Sequence, residues 1–214
     1  QKANVFYYAS NEESPLRSAI YKIDNKGRKT KLSAREGTNS AIFSKSQKYY
    51  INTFSNISTP PVITINDNTG KVLTTLVDNK TLAQKVAKLN MPTKELFTFT
   101  TRDGVELNGW MMKPANFDAT KKYPVIMHQY SGPGSQEVLD EWRIGARSDG
   151  GMFEAYMTNL GFIMVCVDGR GTGGRGAEFE KCTYMSIGVK EARDQVETAL
   201  YLGSLPYVDA KNIG

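Results

Sequence analysis

The sequence predicts two unlike parts in one chain: an all-β segment over residues 1–80 and, past a helical link at 81–94, an α/β sheet begun but not finished within 95–214. Three observations carry that division. Short β-prone runs separated by turn residues fill the first part. Helical spacing of apolar residues first appears at Leu82, Val86 and Leu89. Beyond residue 124, apolar runs alternate with helical segments and glycine-rich loops, the order of a β-α-β unit with parallel strands.

In the first part, residues 5–9, 19–24 and 29–32 are candidate strands, the last two joined by Asn25, Lys26 and Gly27, where a positive φ is easily placed. Runs 48–54, 62–66 and 71–77 continue the series, with Asp67, Asn68, Thr69 and Gly70 as a second hairpin turn. Roughly two four-stranded meanders can be drawn, at the spacing of propeller blades; two blades do not close a ring, so a partial propeller and a small sandwich are both open readings. Pro92 stops the helix at 81–89. Residues 95–101 and 105–113 form a hairpin about Arg102, Asp103 and Gly104, ended by Pro114. The apolar run 124–129 leads through a Gly/Pro-rich loop to a helix at 151–160 and a buried strand at 161–168. A second glycine-rich loop precedes a helix at 188–202 whose Val189, Ala192, Val196, Ala199 and Leu200 share one face. Asn212, Ile213 and Gly214 read as the first step of another strand.

Of the 214 residues, 40% are hydrophobic and 10% aromatic, enough to bury a core, which excludes disordered and fibrous classes. The longest apolar stretch, 162–167, is far below the roughly 20 residues that span a bilayer. Gln1, Lys2, Ala3 and Asn4 open no signal peptide, so any targeting segment is expected outside this sequence. The formal net charge is +5, yet Lys80, Lys85, Lys88 and Lys94 are spread along a helix and its exit, and Lys121 and Lys122 sit in a loop. Without a cluster of basic residues, no nucleic-acid partner is expected. Cys166 and Cys182 allow at most one disulfide, and Cys166 reads as a small core residue. One histidine and two separated cysteines supply no metal ligand set, so no metal is expected.

Parallel α/β sheets gather ligands beyond the carboxyl ends of their strands, where backbone donors and helix N-termini converge. Two loops fall there. The first, 128–136, follows a central strand; in α/β-hydrolases the corresponding loop contributes to the oxyanion hole, whose donors stand about 3 Å from a developing alkoxide. Tyr130 is placed to offer its phenolic hydroxyl as one such donor. The alternative is that it closes the core while the glycines beside Pro133 shape a turn, and the residues alone leave both open. The second loop, 168–176, has its third glycine one position early for a dinucleotide fingerprint and lacks a phosphate-binding lysine, so no nucleotide cofactor is expected. Asp168 and Arg170 are expected to form a local ion pair that fixes this loop. His128 is the sole histidine; a hydrolase triad runs Ser, then Asp or Glu, then His, and His128 precedes any nucleophile strand, so it reads as structural. No Gly-x-Ser-x-Gly occurs.

Tyr130-Ser131-Gly132-Pro133-Gly134-Ser135-Gln136, Val167-Asp168-Gly169-Arg170-Gly171-Thr172-Gly173 and the helix with Glu191, Asp194 and Gln195 resemble the dipeptidyl peptidase IV branch of the prolyl oligopeptidase family. So do the opening Phe6-Tyr7-Tyr8-Ala9-Ser10-Asn11-Glu12 and the link Asn90-Met91-Pro92-Thr93-Lys94, so that the resemblance covers essentially the whole chain. It implies the N-terminal portion of an α/β-hydrolase catalytic domain, its sheet incomplete, preceded by the last blades of an eight-bladed β-propeller. It also implies a serine-type exopeptidase acting on peptides with Pro or Ala at the second position and releasing N-terminal dipeptides. Tyr130 matches the family's oxyanion-hole tyrosine. The catalytic Ser, Asp and His are implied to follow Gly214, and amine-binding glutamates to precede this segment, so the chain alone is expected to be inactive. No cofactor is implied; a secreted, periplasmic or surface-anchored location is, and a homodimer of the full-length protein is left open. A non-catalytic homologue acting as a binding protein, and a related acylaminoacyl peptidase or oligopeptidase, stand as alternatives.

Overall fold

The computed structural model describes residues 5–89, 91–143 and 152–214. Gly151, where the sequence begins a helix, Asn90 of the link, and Gln1, Lys2, Ala3 and Asn4 lie outside the described residues. The chain divides into two compact units, Gln1–Leu89 with Leu139–Trp142, and Asn90–Val138 with Arg143–Gly214.

The first unit holds two antiparallel meanders. One orders β1 (Val5–Ser10), β2 (Ala19–Asp24) and β3 (Lys29–Lys31); the other orders β4 (Thr38–Phe43), β5 (Tyr49–Asn56), β6 (Thr59–Asp67) and β7 (Val72–Val77). The first therefore has three strands among the described residues. Both hairpin turns form as the Asp and Gly residues dictate: the Asp24 carboxylate accepts the N–H groups of Lys26 and Arg28, and that of Asp67 accepts those of Thr69 and Lys71. Ile20, Leu32 and Tyr50 make the core, flanked by Tyr7 and Phe43. β4 has no apolar alternation in its sequence because its buried position is Asn39 while Ile42 faces solvent. Asn39 is satisfied there: its Nδ2 donates to Ser18 O at 3.0 Å and Arg35 O at 3.1 Å, and its Oδ1 accepts from Asn52 at 3.2 Å. The segment Leu139–Trp142 is secured by Asp140, whose carboxylate accepts Arg17 Nε at 2.8 Å and the Ile57 N–H at 3.1 Å. α1 (Lys80–Lys88) closes the unit and buries none of its residues.

The second unit is a five-stranded mixed sheet. β8 (Lys94–Thr100), β9 (Glu106–Met112), β10 (Tyr123–His128), β11 (Ile163–Asp168) and β12 (Val208–Ile213) lie in the order β12-β10-β11-β9-β8. β12, β10 and β11 are parallel; β9 runs antiparallel to both β11 and β8. α2 (Met152–Asn159) connects β10 to β11, and α3 (Ala177–Lys181) and α4 (Val189–Ser204) precede β12. All six residues of β11 are buried, as a continuous apolar run in a covered sheet requires. Leu107, Val125, Ile163, Val165, Val167, Leu202 and Val208 form the core, and Phe99 stacks on Tyr201 with ring centroids 4.5 Å apart. At Gly109 of β9, a Cβ would stand 2.5 Å from the Phe97 ring and 2.9 Å from Cys166 O, so the strand tolerates no side chain there.

Two sequence expectations change. β12 starts at Val208, not Asn212; the polar Asp209 and Lys211 give no apolar alternation that would carry the strand back to Val208. The apolar face expected on α4 points outward, with Val189, Val196 and Leu200 exposed. The inward face carries Glu191, Asp194, Glu197 and Thr198. Charged groups are buried when each finds partners. Glu191 accepts the Gly188 N–H at 3.0 Å, Glu197 accepts the Arg102 N–H at 2.9 Å and its guanidinium at 2.7 Å, and Asp194 takes Arg170.

Candidate functional site

β10 ends at His128, opposite Cys166 of β11, and Tyr130 stands two residues past it, 69% exposed. Ser131 then adopts a left-handed φ of 39°, and its hydroxyl donates to Gln129 Oε1 at 2.7 Å. Gly132-Pro133-Gly134-Ser135 make a tight turn closed by the Ser135 N–H on Gly132 O at 3.1 Å. Proline in the second position and a φ of +76° at Gly134 in the third define a type II turn, which an L side chain at Gly134 would strain. The Gly134 N–H donates outside the turn, to Glu180 Oε1 at 2.8 Å. A Cβ on Gly132 would lie 3.9 Å from Tyr130 Cε1, so the turn and the phenol ring are neighbours.

The loop after β11 holds the same segment from the other side. Asp168, 6% exposed, accepts the N–H of Glu137 at 3.1 Å and that of Val138 at 2.8 Å. Burial pushes its carboxyl above the usual carboxylate range, and these backbone donors oppose the shift. The Gly173 N–H donates to Ser135 O at 2.8 Å. The loop after β10 is thus tied to the loop after β11 at Ser135, Glu137 and Val138, and to α3 at Gly134.

The expected Asp168–Arg170 ion pair is not what fixes the loop. Asp168 is taken up by backbone donors, while α4 brings Asp194 against Arg170, whose N–H, Nε and Nη2 donate to it at 2.6, 3.0 and 2.5 Å. Arg170 Nη1 also donates to Asp103 Oδ2 at 3.0 Å. The Asp194 carboxylate holds the Arg170 guanidinium firmly protonated. Asp103 sits below the usual carboxylate range, through the Thr101 hydroxyl first and Arg170 next. The sequence paired the nearest opposite charges; Asp194 is 24 residues further on and meets Arg170 only through the fold. Glu180 was not singled out either, since its partner is a backbone N–H and leaves no trace in residue type.

Chemically, an exposed phenol on a pinned loop at this sheet edge can donate one hydrogen bond to an anion formed in front of it. Among the described residues, no group of three or more His, Cys, Asp and Glu side chains is placed to hold a metal ion, and no helix is long and apolar enough to cross a membrane.

Strand order, the antiparallel second strand and the tied loops past β10 and β11 define the N-terminal portion of an α/β-hydrolase sheet, and the meanders before it are propeller blades. Residues 1–61 match the family described as the dipeptidyl peptidase IV (DPP IV) N-terminal region, and residues 152–214 match the prolyl oligopeptidase family. Both matches make this chain similar to the dipeptidyl peptidase IV branch of that family. It is 36% identical over 218 residues to a probable dipeptidyl-aminopeptidase B of Sclerotinia sclerotiorum, covering 99% of this chain and 23% of that protein. The corresponding protein of Botryotinia fuckeliana is 36% identical over 214 residues, covering 97% of this chain and 22% of that one. The crystal structure of Porphyromonas gingivalis dipeptidyl peptidase 4 superposes with a TM-score of 0.92 at 47% identity, over 100% of this chain and 30% of that chain. The chain therefore spans about a quarter of the length of the curated relatives it matches.

Proposed function

We propose that the full-length protein containing this chain is a serine-type exopeptidase that removes N-terminal dipeptides with Pro or Ala at the second position, with Tyr130 donating to the oxyanion. The observation that carries the reading is the exposed Tyr130 on a loop pinned at the carboxyl edge of the parallel strands. Serine attack moves negative charge onto the scissile carbonyl oxygen, and a fixed donor about 3 Å from that oxygen stabilises the transition state more than the ground state. The names of the relatives support peptide substrates.

On this reading residues 1–80 are terminal propeller blades, 81–94 a linker helix and 95–214 the N-terminal portion of the catalytic domain. Asp168 and Arg170 are structural members of the second loop. Ser, Asp and His come from residues outside this chain, which alone is inactive. The protein is secreted, periplasmic or surface-anchored, acts without a cofactor or nucleic acid, and pairs as a homodimer.

The test is hydrolysis by the full-length protein of Gly-Pro-anilide, Gly-Ala-anilide and N-acetyl-Gly-Pro-anilide. Cleavage of the two free-amine substrates and not the acetylated one is expected. Cleavage of the acetylated substrate alone would assign an acylaminoacyl peptidase instead, and silence with all three a non-catalytic binding protein.

A further inference from the structure

The segment carrying Tyr130 is tied at three places of unequal kind. Glu137 and Val138 are bound by the buried Asp168, and Ser135 by the backbone of Gly173. Gly134, nearest Tyr130 of these, is bound by a half-buried side chain, Glu180. The bonded N–H belongs to the Pro133–Gly134 peptide, and the orientation of that peptide is what distinguishes a type II from a type I turn. We propose that Glu180 is a positioning residue for Tyr130: its carboxylate selects the type II orientation of the Pro133–Gly134 peptide and so sets where the neighbouring phenol presents its hydroxyl. This rests on the reading of Tyr130 as the oxyanion donor.

Without Glu180, the Gly134 N–H returns to water and the peptide is free to turn over. Gly132, beside the Tyr130 ring, is displaced with it. A donor displaced by about 1 Å from a transition-state oxygen costs up to roughly a hundredfold in rate, with little effect on ground-state binding. Glu180 touches neither substrate nor reacting atoms, so its influence passes entirely through Tyr130.

The experiment is steady-state hydrolysis of Gly-Pro-anilide by the full-length protein as wild type, Glu180→Ala, Glu180→Gln, Tyr130→Phe and the double variant Glu180→Ala/Tyr130→Phe. In Glu180→Ala, kcat is expected to fall about tenfold or more with KM within about twofold. Glu180→Gln, which keeps an acceptor oxygen, should recover to within about threefold of wild type. In the Tyr130→Phe background, Glu180→Ala should cost nothing further, since the group it positions is gone. Wild-type kcat in Glu180→Ala, or a full additional loss in the double variant, would overturn the positioning role while a large loss in Tyr130→Phe leaves the Tyr130 reading standing. Wild-type kcat in Tyr130→Phe overturns that reading and this inference with it.

Discussion

Arg170 encloses the carboxylate of Asp194, a side chain with no solvent exposure, through its backbone N–H at 2.6 Å, Nε at 3.0 Å and Nη2 at 2.5 Å. The pair joins the loop after β11 to α4. Taking away the Arg170 side chain leaves the buried Asp194 carboxylate without a countercharge, which costs about 3–5 kcal/mol, whereas taking away Asp194 still leaves Arg170 paired with Asp103 at 3.0 Å. Arg170→Met should lower the thermal midpoint of the second unit by roughly 5–15 °C in the full-length protein, and Asp194→Leu by less. Differential scanning calorimetry reads this directly, and midpoints within about 1 °C of wild type would contradict it.

Gly109 gives a second expectation. A methyl group there meets the Phe97 ring at 2.5 Å and the Cys166 carbonyl at 2.9 Å, and β9 is held on both sides by β8 and β11. Gly109→Ala should destabilise by about 1–3 kcal/mol through overpacking. A midpoint equal to wild type would mean that Phe97 and β11 move aside without cost.

In the first unit, Asp140 serves Arg17 and the Ile57 N–H at once. Asp140→Ala leaves that N–H without its acceptor, a loss of about 1–3 kcal/mol. Hydrogen exchange at Ile57 should accelerate by at least tenfold; unchanged protection would show that another acceptor takes over.

Glu197 supplies the pH dependence. The Arg102 side chain and N–H hold its carboxyl below the usual value of 4.5. A group whose folded pKa is lowered stabilises the fold above its unfolded pKa and loses that contribution as pH falls through the folded value. The midpoint gap between wild type and Arg102→Gln should therefore be complete at neutral pH and narrow below about pH 4.5. Asp168 has the opposite sign, its raised pKa favouring the fold at acid pH with the benefit lost as pH rises, and it is common to both proteins. A gap that widens on acidification would contradict the assignment to Glu197.

The fold was legible wherever burial follows apolar residues. β11 declared itself by an unbroken apolar run, and the β8–β9 hairpin by Arg102, Asp103 and Gly104. It failed where polar groups are buried in pairs. β4 turns Asn39 inward and Ile42 outward and is absent from the strand runs legible in the sequence, and α4 hides Glu191, Asp194 and Glu197 while exposing Val196 and Leu200, so apolar periodicity pointed to the wrong face of that helix. The candidate site divides in the same way. Tyr130 was marked by its place after a strand and before a Gly-Pro-Gly turn. Its supports were not, because Glu180 and Asp168 bind backbone N–H groups and Arg170 reaches across the fold to Asp194.

The most direct test of the central claim is steady-state hydrolysis of Gly-Pro-anilide by the full-length protein, wild type against Tyr130→Phe. Losing one oxyanion donor should lower kcat by about 10²–10³-fold with KM nearly unchanged. Equal kcat in the two proteins would contradict the assignment of the oxyanion donor to Tyr130.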